Sequence, residues 1–465
     1  MIDIILINGY RVGYPVLPTG IGYVAQAIEN AGFDYDVCDV NLQSHDQIMQ
    51  MVKDLKPRYV GCGTMTYETE KNYQLLQEIK EAMPQILIVL GGPHAIAAQD
   101  NIFQECSAID IVIQGEGEEA IVKLLHGAPY HTIPGVLARA LPSEAMPHDL
   151  LNIDHVAFPT YHKFDLSKYG DIMNIASSRG CVYKCSFCGA PKFLGKKWRA
   201  FPLERMIGEF EYWYGKGYRR FYFSDSLFAL NKSRIIGFCT YIVEYGYTDV
   251  EFTADGVRAD HLTSEILKQM KRANFKSLTL GVESVNDETL AFFKKGESFS
   301  QIDNAISMAD SLGFDITIYL IIGAPEETYN QAMKSIQYPL KYKNIVNTVF
   351  SKLMPIMGTP YYEYATKHQL VFDESVYYPK IEAYGTNERE RSHNAVEEIW
   401  EALYPAIEKM SKHLAIRNHI NKGLKFLGLP IEVKMLNNLT QICLNPVMFV
   451  LITVLFRIAK SLRLK

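Results

Sequence analysis

The sequence carries no excess of positive charge: 47 Lys and Arg stand against 52 Asp and Glu, a formal net charge of −5 over 465 residues. Without a basic field nothing concentrates a polyanion, so nucleic acid is not expected as a partner. The opening MIDIILINGY has no basic n-region and reads as a strand, which argues against a signal peptide. Cysteine is scarce, 8 in all, and Cys38, Cys62, Cys106, Cys239 and Cys443 are scattered. A secreted disulfide scaffold would be smaller and denser in cysteine, so a reducing, cytoplasmic setting is expected. Internal repeats and low-complexity blocks are missing as well. The longest uncharged apolar stretch, Pro446 to Phe456, would reach only about 16 Å as a helix against a ~30 Å hydrocarbon core, too short to cross a bilayer.

What is present is an ordinary globular mix, 48% hydrophobic and 21% charged, enough for two to four domains at ~100–200 residues each. Residues 1–127 alternate buried-strand segments (IDIILIN, DYDVCDV, YVGCGTM, ILIVLGG, DIVIQG) with helical ones of three-to-four spacing (GIGYVAQAIENAG, DQIMQMVKDL, TEKNYQLLQEIKEAM). That alternation predicts an α/β domain with a doubly wound parallel sheet. Ligands of such sheets sit at the carboxyl ends of the strands. Glycines gather there: Gly9, Gly61 and Gly63, Gly91 and Gly92, Gly115 and Gly117. The dinucleotide fingerprint GxGxxG is absent after the first strand, where NGYRVGYPVLPTG stands. Residues 128–172, with Pro134, Pro142, Pro147 and Pro159, read as a linker across the surface. From Asn174 a second alternating series (NIASSRG, RRFYFSD, DVEFTAD, SLTLGVES, FDITIYLIIGAP, TVFSKLMPIMG) predicts a partial (β/α)6 barrel over 173–365, with its site at the strand carboxyl ends. A helical carboxyl-terminal cap comes last, over 366–465, in which Asn394 to Leu427 reads as one or two amphipathic helices.

The segment SSRGCVYKCSFCGAP spaces Cys181, Cys185 and Cys188 as C-x3-C-x2-C just after an expected strand. Three thiolates can hold three irons of a [4Fe–4S] cluster and leave the fourth open to substrate. A zinc knuckle is the bland alternative, but structural zinc sites are closed by four ligands.

At these residues the chain resembles the radical S-adenosylmethionine superfamily, whose signature is this spacing with an aromatic, here Phe187, before the third cysteine. The resemblance runs over roughly 173–365. It implies that the amino and carboxylate groups of S-adenosylmethionine chelate the open iron, and that reductive cleavage, fed by a reductant such as flavodoxin or ferredoxin, yields a 5′-deoxyadenosyl radical. It further implies that Ser224 and Asp225 meet the methionine amino group. Arg258 and Glu283 match positions that meet the ribose or carboxylate. The run YLIIGAPE, with Gly323 and Glu326, resembles the adenine-binding motif, although Tyr319 stands where a glycine is common.

The first domain resembles the flavodoxin-like cobalamin-binding domain that precedes many of these enzymes, through VGCGTMTYE, VLGGPHA and IQGEGEEA. The D-x-H-x-x-G motif of other cobalamin proteins is absent, which implies base-off cobalamin. Its nucleotide tail would lie near Gly91 and Gly92, its lower face would be covered by Thr64, Met65, Thr66 and Tyr67, and Gly115 and Gly117 would approach it closely. His94 is a tail contact or, less simply, an axial ligand. Together the resemblances imply methylation of an unactivated carbon, or phosphorus, of a small-molecule or lipid-like substrate. Cyclisation or rearrangement with the same cofactors is the alternative. Two further readings stay open: a methylthiotransferase, whose second cluster would need Cys38, Cys62 and Cys106, and a non-catalytic redox or cobalamin sensor. The tail 445–465, with Arg457, Lys460, Arg463 and Lys465 after its apolar stretch, is either docked on the protein or a peripheral membrane contact.

Overall fold

The computed structural model describes residues 2–10, 16–140, 150–325, 327–368, 370, 395–427, 433–444, 448–449 and 452–454. Pro142, Pro147, Glu326, Pro446 and the basic residues of the tail lie outside them. The chain divides into two compact units: 1–182 with 188–218 and 355–389, and 183–187 with 219–354 and 390–465.

The first unit is built on β1 (Ile4–Asn8), β2 (Tyr35–Asp39), β3 (Tyr59–Gly63), β4 (Leu87–Gly91), β5 (Ile111–Ile113) and β6 (Val136–Ala138), in the order β2-β1-β3-β4-β5-β6. β1 to β5 are parallel; the IILIN of β1 is buried along its whole length, as a strand covered on both faces must be. Helices Thr19–Asn30, His45–Leu55, Thr69–Ala82 and Gly117–Leu125 supply the covers. The apolar faces of the second and third meet the sheet in a core that includes Ile5, Ile7, Val60, Leu76, Ile79 and Ile88. A capping box on Ser44 and Gln47 starts the second of these helices.

The expected linker needs correction. Residues 136–138 pair antiparallel to β5 and close the edge of the sheet. The VLA run lies in a proline-rich stretch, with Pro134 just before it, and so does not show as a strand in sequence. Farther on, Thr160 donates backbone and hydroxyl hydrogen bonds to Gln26 Oε1, at 2.8 and 2.6 Å, tying the segment to the first helix. The same unit holds β7 (Ile172–Ile175) and the antiparallel pair β8 (Ser178–Arg179) and β9 (Arg199–Ala200).

The second unit carries the parallel strands β10 (Arg220–Phe223), β11 (Glu251–Val257), β12 (Phe275–Glu283), β13 (Asp315–Ile322) and β14 (Ile345–Lys352), joined in chain order. Helices Lys232–Glu244, Ser264–Arg272, Phe299–Ser311 and Tyr329–Gln337 come after β10 to β13 in turn, begun by the caps Asn231, Thr263, Ser298 and Thr328. One face of this sheet is an aromatic core: Phe223 lies 4.9 to 6.0 Å from Phe228, Phe238, Phe252 and Phe275. Asn394 is not described; from Ala395 the cap begins as one helix, Ala395–Leu427, with Pro405 inside it. Leu403, Ile407, Met410 and Leu414 bury against Ile322, Ala332 and Ile336. Of the tail, Phe449 packs at a tilt against the His419 ring, 5.3 Å between centroids, and Thr453 bonds to His419 at 3.2 Å, so these residues are engaged within their own unit. Among the described residues no helix is long and apolar enough to cross a membrane.

Candidate cofactor and active site

In the first unit β1, β3 and β4 end level with one another, at Asn8, Gly63 and Gly91. Beyond them Thr64 N–H donates to Gly91 O (3.1 Å), His94 N–H donates to Thr64 O (3.2 Å), and Asn72 Nδ2 donates to Thr64 Oγ1 (2.7 Å). Gly92 takes φ +91°, and a Cβ there would stand 3.0 Å from Thr64 N and O, so only glycine lets the two loops close. Thr64, Gly91, Gly92 and His94 thus come together. Met65 is half-buried, Thr66 is buried in a short 3-10 turn, and Tyr67 is 41% exposed.

His94 is 3% exposed, and its Nε2 lies 2.9 Å from Glu105 Oε2, which also accepts from Tyr73 OH at 2.7 Å. The hydrogen bond from His94 holds the Glu105 carboxyl below its usual range. One imidazole nitrogen is therefore occupied, while Nδ1 is buried without a hydrogen-bond partner.

Gly115 (φ +88°) and Gly117 flank a side chain that glycine-spotting overlooks. Glu116 accepts from Arg179 Nη1 and Arg199 Nη1, both 2.8 Å, and from Leu151 N–H at 2.8 Å; Glu118 accepts from Arg179 Nη2 at 2.7 Å. β8 and β9 set Arg179 opposite Arg199, a like-charge pair that the shared Glu116 makes tolerable. Arg179 also lies 4.5 Å over the Tyr23 ring. It directly precedes Gly180 and Cys181, so this charge-assisted grip fixes the entry to the cysteine loop. Cys181 is 8% exposed and its N–H donates to Gly195 O at 3.0 Å; Cys188 Sγ accepts from Ala190 N–H at 3.4 Å.

In the second unit Cys185 sits between anchored neighbours. Ser186 N–H donates to Phe293 O (2.8 Å), Ser186 Oγ to Phe292 O (3.1 Å), and Phe187 packs edge-on to Phe293. Tyr183 OH lies 2.7 Å from His261 Nε2, with the Arg258 guanidinium 3.5 Å over its ring. Arg258 is 5% exposed and fully engaged: it reaches Asp260 (3.0 and 3.1 Å), Lys295 O (2.9 Å) and Glu297 (3.2 Å). Lys295, also 5% exposed, pairs with Glu283 (3.2 Å) and Glu297 (3.7 Å). Burial alone would lower its ammonium, but Glu283 and Glu297, and then Cys185, hold it above its usual range. Lys295 and Glu297 escape sequence reasoning: KKGES lies in a loop without periodicity, and only the fold shows that it turns inward.

Ser224 is exposed and Asp225 buried immediately after β10. Glu283 closes β12 at φ +64°. Gly323 comes directly after β13 at φ +92°, and its N–H donates to Glu327 Oε2 at 2.8 Å. Glu327, another residue the sequence does not single out, keeps Oε1 buried without a partner, and burial pushes its carboxyl up.

The donor set suits the expected groups. Cys181, Cys185 and Cys188 stand on one short loop. Among the described residues no three His, Cys, Asp or Glu side chains converge as ligands of a single ion. Cubane thiolates each take a different iron and need not converge. Cys38, Cys62 and Cys106 fit a second cluster poorly. All are buried, Cys38 and Cys62 in β2 and β3 and Cys106 just past the short helix Ile102–Glu105, not inside one. Burial pushes Cys38 and Cys62 up to about 12, whereas ligation needs the thiolate. The glycine-lined edge of the first sheet, with Asn8 Oδ1 and His94 Nδ1 buried and unpartnered there, suits a broad polar ligand.

The B12 binding domain family matches residues 5–125 and the Radical SAM superfamily matches residues 175–338. An uncharacterised methyltransferase of Pyrococcus horikoshii is 28% identical over 379 residues, 77% of this chain and 81% of its own. The anaerobic magnesium-protoporphyrin IX monomethyl ester cyclase of Cereibacter sphaeroides is 24% identical over 396 residues, 77% of this chain; the match spans 62% of the cyclase, less than two thirds of its length. Among solved structures, the radical S-adenosylmethionine methyltransferase TsrM of Kitasatospora setae, with cobalamin and a [4Fe–4S] cluster bound, superposes with a TM-score of 0.70 at 17% identity, covering 98% of this chain and 99% of that one.

Proposed function

Since the chain belongs to the cobalamin-dependent radical S-adenosylmethionine enzymes, we propose that it transfers a methyl group to an unactivated carbon, or to phosphorus, of a small-molecule or lipid-like substrate. When bound, the cluster with S-adenosylmethionine supplies a hydrogen-abstracting radical and the corrin supplies the methyl group. The observation that carries the reading is the C-x3-C-x2-C loop of Cys181, Cys185 and Cys188, in a chain whose first sheet ends in a glycine-lined edge.

The chain's residues have holding and orienting roles. Cys181, Cys185 and Cys188 ligate the cluster, and the Arg179–Glu116 grip sets the loop's entry. Lys295, paired with Glu283 and Glu297, sets a positive charge near Cys185. Arg258 is a frame residue that stacks on Tyr183 and leaves the ribose and carboxylate contacts to Glu283. Ser224 and Asp225 take the methionine amino group, and the turn at Gly323 with Glu326 meets the adenine. Thr64 to Tyr67 face the corrin, Gly91 and Gly92 its nucleotide tail, and Gly115 and Gly117 approach it by their backbones. A flavodoxin or ferredoxin is the electron donor. Both the Pyrococcus relative and TsrM bear the name methyltransferase, which supports methyl transfer. The cyclase, aligned over as much of this chain, keeps ring closure as the second reading.

Anaerobic reconstitution tests the cofactor half directly. The protein should take up about four irons and base-off cobalamin, and release 5′-deoxyadenosine from S-adenosylmethionine on reduction. Cys185→Ala should lose the iron and the cleavage while keeping the cobalamin. Cleavage retained in that variant would sink the assignment.

A further inference from the structure

Two neighbouring strands of the second unit each carry one extra residue near their carboxyl ends. In β11, Ala254 pairs with Leu278 but Val257 with Leu280; in β12, Gly281 pairs with Tyr319 but Glu283 with Leu320. Such bulges re-aim side chains and collect beside functional sites. The first depends on Gly256: its φ is +62°, and a Cβ there would stand 1.9 Å from the Asp225 carbonyl oxygen. The second sets Glu283 at φ +64°, a conformation a side chain adopts only when its surroundings enforce it.

The two carboxylates at these bulges differ in what they meet. Glu283 has Lys295 at 3.2 Å. Asp255 accepts from Tyr222 OH at 2.7 Å, and among the described residues no Lys, Arg or His pairs with it. Tyr319, on β13, is close enough that burial, and then the charges of Asp255 and Glu283, push its hydroxyl up to about 12. Burial with no cation to offset it pushes the Asp255 carboxyl up as well. Among the described residues this half-buried carboxylate, bonded to one phenol and near a second, has no positive partner, a setting that an organic cation would satisfy.

We propose that Asp255, with Tyr222 and Tyr319, seats an organic cation: either the sulfonium of S-adenosylmethionine or an amine of the substrate. This rests on the proposed function, since it takes the sheet end beside Asp225 as the reacting end.

The test uses anaerobic, iron- and cobalamin-loaded protein and binding, not turnover. S-adenosylmethionine and S-adenosylhomocysteine, whose sulfur carries no charge, are titrated by equilibrium dialysis against wild type, Asp255→Asn and Asp255→Glu, with iron and cobalamin measured on every sample. If the sulfonium sits here, Asp255→Asn weakens S-adenosylmethionine about tenfold, leaves S-adenosylhomocysteine within about twofold, and Asp255→Glu recovers part of the loss. If the substrate amine sits here, S-adenosylmethionine binding is unchanged. Trimethylammonium, titrated into the S-adenosylmethionine-loaded protein and followed by tyrosine fluorescence, then binds wild type but not Asp255→Asn. Equal weakening of both adenosyl ligands overturns the proposal, as does failure of S-adenosylmethionine and trimethylammonium alike to distinguish the variants. Should Asp255→Asn lose iron, Asp255→Ser takes its place in the same comparison. Wild type that holds its irons yet binds no S-adenosylmethionine sinks the proposed function, and this site with it.

Discussion

Gly180 and Gly217 share a backbone conformation, φ +86° and +97°, but not a neighbourhood. A Cβ on Gly180 would stand 2.1 Å from the Lys197 carbonyl oxygen, whereas one on Gly217 would meet nothing within 4 Å. Alanine at either position costs ~1–2 kcal/mol for its left-handed conformation. At Gly180 it must also push β8 and the loop apart, one residue before Cys181. Gly180→Ala should therefore lose most of the reconstituted iron, read by iron assay and by the 5′-deoxyadenosine released. Gly217→Ala should keep its iron and lose only a little thermal stability. Equal iron in both variants would show that the loop does not depend on that close approach. The cysteines themselves are legible because their spacing is local. The Arg179 grip is not, because its partner Glu116 lies 63 residues earlier, and no local pattern joins a strand end in one sheet to the entrance of a later loop.

At the scale of elements, the strands legible in the sequence are those whose apolar runs are long enough to show a period. β1 to β5 and β10 to β14 are all visible there; β6, a short VLA run in a proline-rich stretch, is not. The fate of the carboxyl-terminal segment is legible only in part. Its periodicity gives a helix, but nothing local says that Arg417 is core. In the structure Arg417 is 1% exposed, and its Nη2 donates to Pro339 O at 3.0 Å and Ile345 O at 2.7 Å. Burial lowers its guanidinium to about 10, still charged at neutral pH. The helix Ala395–Leu427 is thus bolted to the start of β14 by a buried cation that satisfies two carbonyls. Arg417→Met fills much of the space but leaves both carbonyls without a donor, so it should destabilise the protein by about 2–4 kcal/mol, measured by urea unfolding. Arg417→Lys should fall in between, because one ammonium cannot reproduce the guanidinium fork. A loss below about 0.5 kcal/mol in the Met variant would mean that the helix is held by its Leu403–Leu414 apolar face alone.

For the whole molecule, the proposed function turns on which bond a substrate radical would make after losing its hydrogen. The chain matches a B12 binding domain and a radical S-adenosylmethionine domain, and its other described cysteines are buried thiols that offer no auxiliary cluster. The radical then has two fates within this set of parts: capture of a methyl group or closure onto itself. The two differ in what S-adenosylmethionine must provide. Methyl transfer needs it in two capacities, as methyl source and as radical source. With the true substrate present it should therefore give S-adenosylhomocysteine and 5′-deoxyadenosine in equal amounts. Deuterated methyl should enter the product, and deuterium placed at the reacting substrate carbon should appear in 5′-deoxyadenosine. Ring closure would give 5′-deoxyadenosine with no matching S-adenosylhomocysteine and no methyl label in the product. Omitting cobalamin separates the capacities further. Cobalamin-free protein should still cleave S-adenosylmethionine on reduction, since the cysteine loop does not need the corrin to hold iron, but should form no S-adenosylhomocysteine and move no label. Label transfer that persists without cobalamin would place the methyl group on a different carrier and remove the first sheet from the reaction.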